Sequence, residues 1–392
     1  MTRSTSRHSV PGDHLRARHV VRAVASVLAA VLSVTILVAF GYGWKKYGDL
    51  NSGLQTFKLP ALNQTPTNTN SGATVQKSGS AQNILIVGLD DRTGLTPEQI
   101  KEFHTGTDTT DSTDSIMLVH VPADGSRATL ISIPRETYVD IPGYKKNLIN
   151  AAYADAKYLG NGGTLKEREA AGFDLLIQTV QQLTGVSINH FVAVGFNGFV
   201  SIANAIHGVE VNLCYAQNDR YSGLHVPAGK QRLSGAQALA FVRQRHNING
   251  GTSSDLTRSQ RQRYFLAAAF KQVVSIGVLT SPGKLNDLIA AVKKYFYFDT
   301  DFKLVDFAEQ MADLTAGNIT GHVIPTDGDV TTIEGQDGLA ADPAKVQAQV
   351  AEWLNPPKTS PTPSSSTSGP GSSSTSTATP SSSAVLTKGC IH

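Results

Sequence analysis

Apolar positions recur along this chain in two rhythms, one of strands and one of helices. The compact runs NILIVGL (83–89), SIMLVHV (115–121) and ATLISI (128–133) predict strands, and Ala123-Asp124-Gly125 between the last two predicts an antiparallel hairpin. HFVAVGF (190–196), GVEVNL (208–213) and HVIP near 322 predict three more. Helical spacing covers 148–158, 168–184, 197–206, 234–242, 255–276, 283–294 and 302–314. Asp342-Pro343 opens a last helix to about Leu354, with proline at its first position. Residues 214–232 read as an irregular loop. This mixture predicts an α/β sandwich rather than a bundle or a β-barrel.

The ends of the chain follow other patterns. Residues 1–23 are polar and basic, with five arginines, and 24–44 form an uncharged apolar stretch about one bilayer thickness long. Tyr42 and Trp44 sit where an interfacial aromatic belt would lie. The excess of arginines before the span predicts an uncleaved single-pass anchor with a cytoplasmic N-terminus and everything after it outside the cell membrane. Residues 45–81, rich in Asn, Thr, Ser and Gly, predict a flexible linker, and the folded domain is expected over 82–355. Residues 356–392 form a Ser/Thr/Pro-rich tail too polar to bury a core and are expected to be disordered.

Composition narrows the function classes. A net charge of +3 with both signs nearly balanced gives no footprint for nucleic acid. Two cysteines, Cys214 and Cys390, exclude a disulfide-dense scaffold and match no zinc-ligand spacing. No Walker loop, nucleophile elbow or HExxH helix is present.

The densest chemistry lies in Phe241–Arg263, where Arg243, Arg245, Arg258, Arg261 and Arg263 surround a Gly- and Ser-rich loop before a predicted helix. Arginines at a helix start oppose its dipole by up to about 1 kcal/mol each, and a bound anion reverses that sign. Arginine's planar fork suits phosphate oxygens. Arg92 and Arg135 each follow an apolar strand, at the strand ends where sheet proteins place site residues, although Arg135 is equally placed to pair with Glu136 or Asp140. Asp90 and Asp91 end one predicted strand, and Asp111 and Asp114 precede the next. If the two strands are neighbours, their carboxylates meet and suit Mg²⁺, which keeps waters and shares substrate phosphates; otherwise they are ordinary turn-capping aspartates.

In order along the chain stand GLDDR (88–92), TDSIMLVHV (113–121), LISIPRETYVDIPGY (130–144), LINAAYA (148–154), GVEVNL to LSGAQALAFVRQRH (208–246) and DLTRSQRQR (255–263). Over residues 82–355 the chain thereby resembles the LytR-CpsA-Psr family of membrane-anchored bacterial cell-wall proteins; its head and tail resemble actinobacterial members. The resemblance implies an α/β/α sandwich with a central mixed sheet and an apolar polyprenyl pocket. It also implies a Mg²⁺- (or Mn²⁺-) dependent phosphotransferase that moves a glycopolymer from a polyprenyl-pyrophosphate carrier onto peptidoglycan through a phosphodiester. By motif position, Asp90 and Asp114 would hold the metal. Arg92, Arg135, Arg243, Arg245, Arg258, Arg261 and Gln262 would bind the diphosphate, and Asp90, Arg92, Arg135 and Arg258 would carry catalysis.

The match has departures. Ser112 stands where many members have arginine, and Ser254-Asp255-Leu256 replaces the usual acidic or glycine lead-in to the second arginine pair. In the outside compartment a disulfide is permitted, and Cys214 is expected to pair with Cys390 and pin the tail; free thiols or a bond to another chain are the alternatives. Two other functions use the same residues: a non-catalytic polyprenyl-phosphate or wall-polymer binding protein, and a polyprenyl-pyrophosphate hydrolase.

Overall fold

The computed structural model of the chain describes residues 53–64, 81–92, 95–106, 112–160, 162–246, 255–275, 282–303, 318–356, 384–385 and 389–391. The basic head, the predicted span at 24–44, loop 247–254 and most of the predicted helix 302–314 lie outside these residues. Among the described residues, no helix is long and apolar enough to cross a membrane.

The strands are β1 (Gln55–Phe57), β2 (Gln82–Leu89), β3 (Thr113–Val121), β4 (Ala128–Ile133), β5 (Thr137–Val139), β6 (Asn147–Leu148), β7 (His190–Val194) and β8 (Val209–Leu213). They continue as β9 (Gln217–Asp219), β10 (Leu224–Val226), β11 (Gly229–Leu233), β12 (Phe296–Asp299), β13 (Ile319–Val323), β14 (Asp329–Thr331), β15 (Asp337–Ala340) and β16 (Ala384–Val385). The helices are α1 (Pro97–Glu102), α2 (Ala151–Leu159), α3 (Leu165–Thr184), α4 (Phe196–Ala205), α5 (Gly235–Arg243), α6 (Asp255–Ser275), α7 (Pro282–Tyr295) and α8 (Pro343–Leu354).

An eight-stranded mixed sheet in the order β1-β12-β7-β2-β3-β4-β13-β16 forms the centre. β2 and β3 pair antiparallel with Leu85 opposite Leu118, β2 and β7 pair parallel with Leu85 opposite Phe191, and the predicted hairpin joins β3 to β4. Strand alternation sends Leu85, Val87 and Leu89 to one face, where they meet Phe173, Leu176 and Val180 of α3 and Val346 and Val350 of α8. Ile84, Met117, Val119 and Leu130 face the other way, toward Ala267 of α6. β3 is buried almost throughout because helices cover both of its faces. Local signals agree with these elements. Thr164 and Glu167 close a capping box on α3, and Gly185, at φ 71°, ends it in the left-handed region.

Three expectations change. The predicted linker 45–81 contains β1, whose Gln55–Phe57 pairs parallel with β12, and Phe57 packs edge-on against Phe173 at 5.2 Å and Tyr297 at 5.6 Å. Three residues in a polar setting are too few to show a rhythm. The predicted loop 214–232 contains β9, β10 and β11, with β11 paired to β8 over five residues. Its GKQRL strand carries alternate polar side chains outward, so it lacks an apolar run. The tail predicted to be disordered returns to the domain: β16 pairs antiparallel with β13, and Ile391 is buried beside β8, forming a bridge with Leu213. The Cys214–Cys390 disulfide is formed, with the two Cα atoms 4.9 Å apart.

Candidate active site

The C-terminal end of β2 and the start of β3 organise the site. Pairing runs Gly88 opposite Ser115 and then Leu89 opposite Thr113, so Asp114 is the extra residue of a β-bulge. Bulges re-aim side chains; here Asp114 lines a cavity together with Asp90 on the neighbouring chain segment. Gly88 keeps this approach close, since a Cβ there would lie 3.1 Å from the Cβ of Ser115. Asp90 is nearly buried, and its backbone N–H donates to Ser112 at 3.0 Å.

That cavity has a volume of about 500 Å³. Its inner part runs between the sheet, α4 and α6 and is lined by Ile86, Met117, Val192, Phe199, Ile202 and Leu266. Its mouth is charged. Arg92 grips both oxygens of Asp90, Nε to Oδ1 at 2.7 Å and Nη2 to Oδ2 at 2.6 Å. Arg135, delivered by Pro134 at the end of β4, donates through Nη1 to Asp114 and through Nε to Glu136. Burial opposes its charge, but Asp114 and Glu136 outweigh burial and raise its pKa above the ordinary arginine value. Glu136 Oε1 also lies 3.6 Å from Arg245 Nη2 and 3.9 Å from Arg258 Nη2, so one carboxylate holds three guanidinium groups together.

Arg243 ends α5, donates to the Phe103 carbonyl at 2.6 Å and lies over the Phe196 ring at 4.9 Å. Burial lowers its pKa, with Arg92 and Arg245 adding to that fall and Asp90 and Asp114 opposing it. Gln262 lies one helical turn after Arg258 on the same face of α6, and its Oε1 accepts from Ser115 Oγ at 3.1 Å. Asp90, Arg92, Asp114, Arg135, Arg243, Arg245, Arg258 and Gln262 therefore line one cavity, as their motif positions imply.

Arg261 does not join them. It is fully buried behind the cavity wall, donating to Gln244 Oε1 and, at 3.1 Å, to Gln217 Oε1. Its guanidinium lies 5.1 Å from the Phe241 ring centroid, and burial, only partly opposed by Asp219, pulls its pKa to about 10. Three residues along a helix is a rotation of about 300°, enough to turn Arg261 away from Arg258 toward β9. The expectation that it binds diphosphate gives way to a structural role. The residue that sequence reasoning passed over is Glu136. It was visible only as a possible partner for Arg135, and its reach to α6 required the fold.

Around the mouth, Arg92, Arg135, Arg243, Arg245 and Arg258 face Asp90, Asp114 and Asp219 of the lining and Glu136 beside it, leaving a surplus of one positive charge. Five guanidinium groups gathered there suit a phosphate-bearing anion held at the end of an apolar cavity. The donor set for a metal is two carboxylates, Asp90 and Asp114, and among the described residues no group of three or more His, Cys, Asp or Glu side chains could hold an ion. Two carboxylates fit Mg²⁺ whose remaining positions are filled by phosphate oxygens and water, not a self-contained protein cage.

Fold and cavity define an α/β sandwich with an apolar chamber that ends in clustered arginines. The chain belongs to the LytR_cpsA_psr family, whose profile matches residues 51–352. It is 36% identical over 354 residues to the cell wall biosynthesis protein LcpA of Corynebacterium glutamicum, covering 85% of this chain and 66% of LcpA, so it spans just under two thirds of that relative. It is 30% identical to the polyisoprenyl-teichoic acid–peptidoglycan teichoic acid transferase TagU of Bacillus cereus, over 67% of this chain and 75% of TagU. Among solved structures, TagT (YwtF) with bound octaprenyl pyrophosphate lipid shares the fold, with a TM-score of 0.50 and 20% identity over 76% of this chain and 97% of TagT.

Proposed function

We propose that this chain is a membrane-anchored, Mg²⁺-dependent phosphotransferase. It takes a glycopolymer from a polyprenyl-pyrophosphate carrier and joins it to peptidoglycan through a phosphodiester outside the cell membrane. The observation that carries this reading is the union in one cavity of an apolar chamber and a mouth lined by five arginines. The relatives' names add support: TagU is a polyisoprenyl-teichoic acid–peptidoglycan transferase, and TagT holds a polyprenyl pyrophosphate.

In this reading the polyprenyl tail fills the chamber, where each buried methylene contributes about 0.8 kcal/mol. Arg92, Arg135, Arg243, Arg245 and Arg258 hold the diphosphate. An acceptor hydroxyl attacks the sugar-linked phosphorus, the bridging P–O bond breaks, and polyprenyl phosphate leaves with the electron pair. The hydroxyl proton passes to an aspartate at the cavity mouth, Asp90 where it acts as base instead of metal ligand. The arginines stabilise charge developing on the leaving oxygen, the largest single contribution in many such reactions. Mg²⁺ (or Mn²⁺), held by Asp90 and Asp114, would neutralise diphosphate charge when bound.

The test is single-turnover transfer with the full-length chain, a polyprenyl-diphospho-disaccharide, a peptidoglycan oligomer and Mg²⁺, read by mass spectrometry. A phosphodiester adduct that is lost with EDTA and in Arg135→Ala is expected. Release of sugar phosphate without an adduct would make water the acceptor and the protein a hydrolase. Tight lipid binding without turnover would leave a carrier.

A further inference from the structure

A second cavity, of about 970 Å³, opens on the other face of the sheet, between β1, β12 and the α2–α3 turn. Leu89 lines both cavities. The next two residues divide between them, Asp90 lining the first and Asp91 the second. The end of β2 is therefore the partition between the two spaces.

The second wall differs from the first. Tyr153, Tyr158 and Tyr297 supply aromatic surface, and Tyr158 is 57% exposed at the rim. Lys157 lies 5.3 Å from the Tyr153 ring centroid and 5.4 Å from that of Tyr158, and its Nζ is 3.8 Å from Glu169 Oε1. Arg168 lines the same wall, and its buried Nε has no hydrogen-bond partner among the described residues. Burial, with Asp91 and Glu169 nearby, raises the Tyr297 pKa, so its hydroxyl stays protonated and able to donate. The start of α3 offers no anion site, because the Thr164–Glu167 box already caps it. Flat apolar rings interleaved with donors and acceptors of both signs match a polyhydroxylated chain. Lys157, Lys166 and Arg168 stand against Asp91 and Glu169, so the wall is near neutral and lacks the dense cation cluster that a phosphate-rich lipid surface takes.

We infer that this second cavity binds the acceptor, a glycan strand that presents a hydroxyl across the Leu89–Asp91 partition to the phosphorus held in the first. The inference rests on the transferase reading. In-line displacement needs the incoming oxygen opposite the leaving group, and cavities on opposite faces of one strand end supply those two directions. Attack forms the acceptor O–P bond and breaks the bridging P–O bond, polyprenyl phosphate leaves with the electron pair, and the acceptor proton goes to the same base as in the transfer above.

The test is calorimetric titration of the full-length chain in detergent with a peptide-free peptidoglycan tetrasaccharide, with melting temperatures recorded for every variant. Saturable binding is expected, weakened at least fivefold by Tyr158→Ala and by Arg168→Gln and unchanged by Ile333→Ala, which alters a side chain 84% exposed and outside both cavities. Absence of binding, or binding undiminished in both cavity variants, overturns the inference. So does loss of binding to phosphatidylglycerol vesicles with glycan binding intact, which would make this a membrane-facing surface. Transfer that proceeds in both variants with an unaltered acceptor KM sinks the inference and leaves the transferase standing. Site-dependent glycan binding by a protein with no turnover overturns the transferase reading and the acceptor role with it, and leaves a glycan-binding cavity.

Discussion

Arg258 and Arg261 lie three residues apart on α6, yet their replacement should have opposite consequences. Arg261→Met removes two hydrogen bonds to charged donors, worth about 3–6 kcal/mol together, and leaves buried Gln244 Oε1 without its arginine donor, at about 1–3 kcal/mol more. Against this stands the cost of burying the guanidinium, visible in a pKa pulled to about 10 and worth about 3 kcal/mol. The net loss is about 1–6 kcal/mol, or roughly 2–12 °C in Tm at about 2 °C per kcal/mol for a domain of this size. Gln244 directly precedes Arg245, so turnover should fall by no more than about tenfold. Arg258→Met instead removes one of three cations crowding Glu136, so relieved repulsion offsets part of the lost attraction. Its Tm should move by less than about 2 °C. Its turnover should fall by about 10²–10³-fold, the usual cost of one donor to a developing anion. Thermal melts paired with single-turnover transfer measure both quantities. If Arg261→Met keeps its Tm but loses turnover as deeply as Arg258→Met, the assignment of Arg261 to the scaffold is wrong.

Three further outcomes follow from the packing. His120 and His322 are buried, and burial with Arg127 and Arg263 nearby, respectively, lowers each pKa to about 4. The unfolded chain protonates them near pH 6.5 and the folded chain does not, so stability should fall as pH drops from about 6.5 to 4, by about 3 kcal/mol per histidine; urea melts of His322→Gln should show a shallower fall than wild type. Reducing Cys214–Cys390, which closes a sequence separation of 176, should cost about 2–5 kcal/mol, and alkylation under non-reducing conditions should label neither cysteine. Gly172→Ala would place a Cβ 2.6 Å from the Tyr153 carbonyl oxygen and 2.7 Å from its Cδ2, forcing α2 from α3; a loss of about 2–4 kcal/mol in chemical denaturation is expected, and wild-type stability would show that this contact is loose.

The central sheet was readable because β2, β3 and β4 are dense apolar runs, and their rhythm survives without any knowledge of neighbours. The peripheral strands were not, because β1 has three residues and β11 alternates polar side chains into solvent. The arginines of the site stood out by residue type alone, but two facts about them are three-dimensional. Arg261 turns behind the wall through helical phase, and Glu136 gathers side chains from positions 109 and 122 residues further along. The second cavity combines Leu54–Phe57, Asp91, the α2–α3 turn and Tyr297, segments whose residues carry no common motif.

The bond between Cys214 and Cys390 also changes what the Ser/Thr/Pro-rich stretch is in covalent terms. Fixed at Leu354 by α8 and at Cys390 by sulfur, it is a bridge with two anchored ends and not a free tail. A protease that cuts within it releases nothing. It produces a two-chain molecule whose short second chain still carries Ile391 into the core beside β8. Such a molecule would run as one band without reductant and as two bands with it.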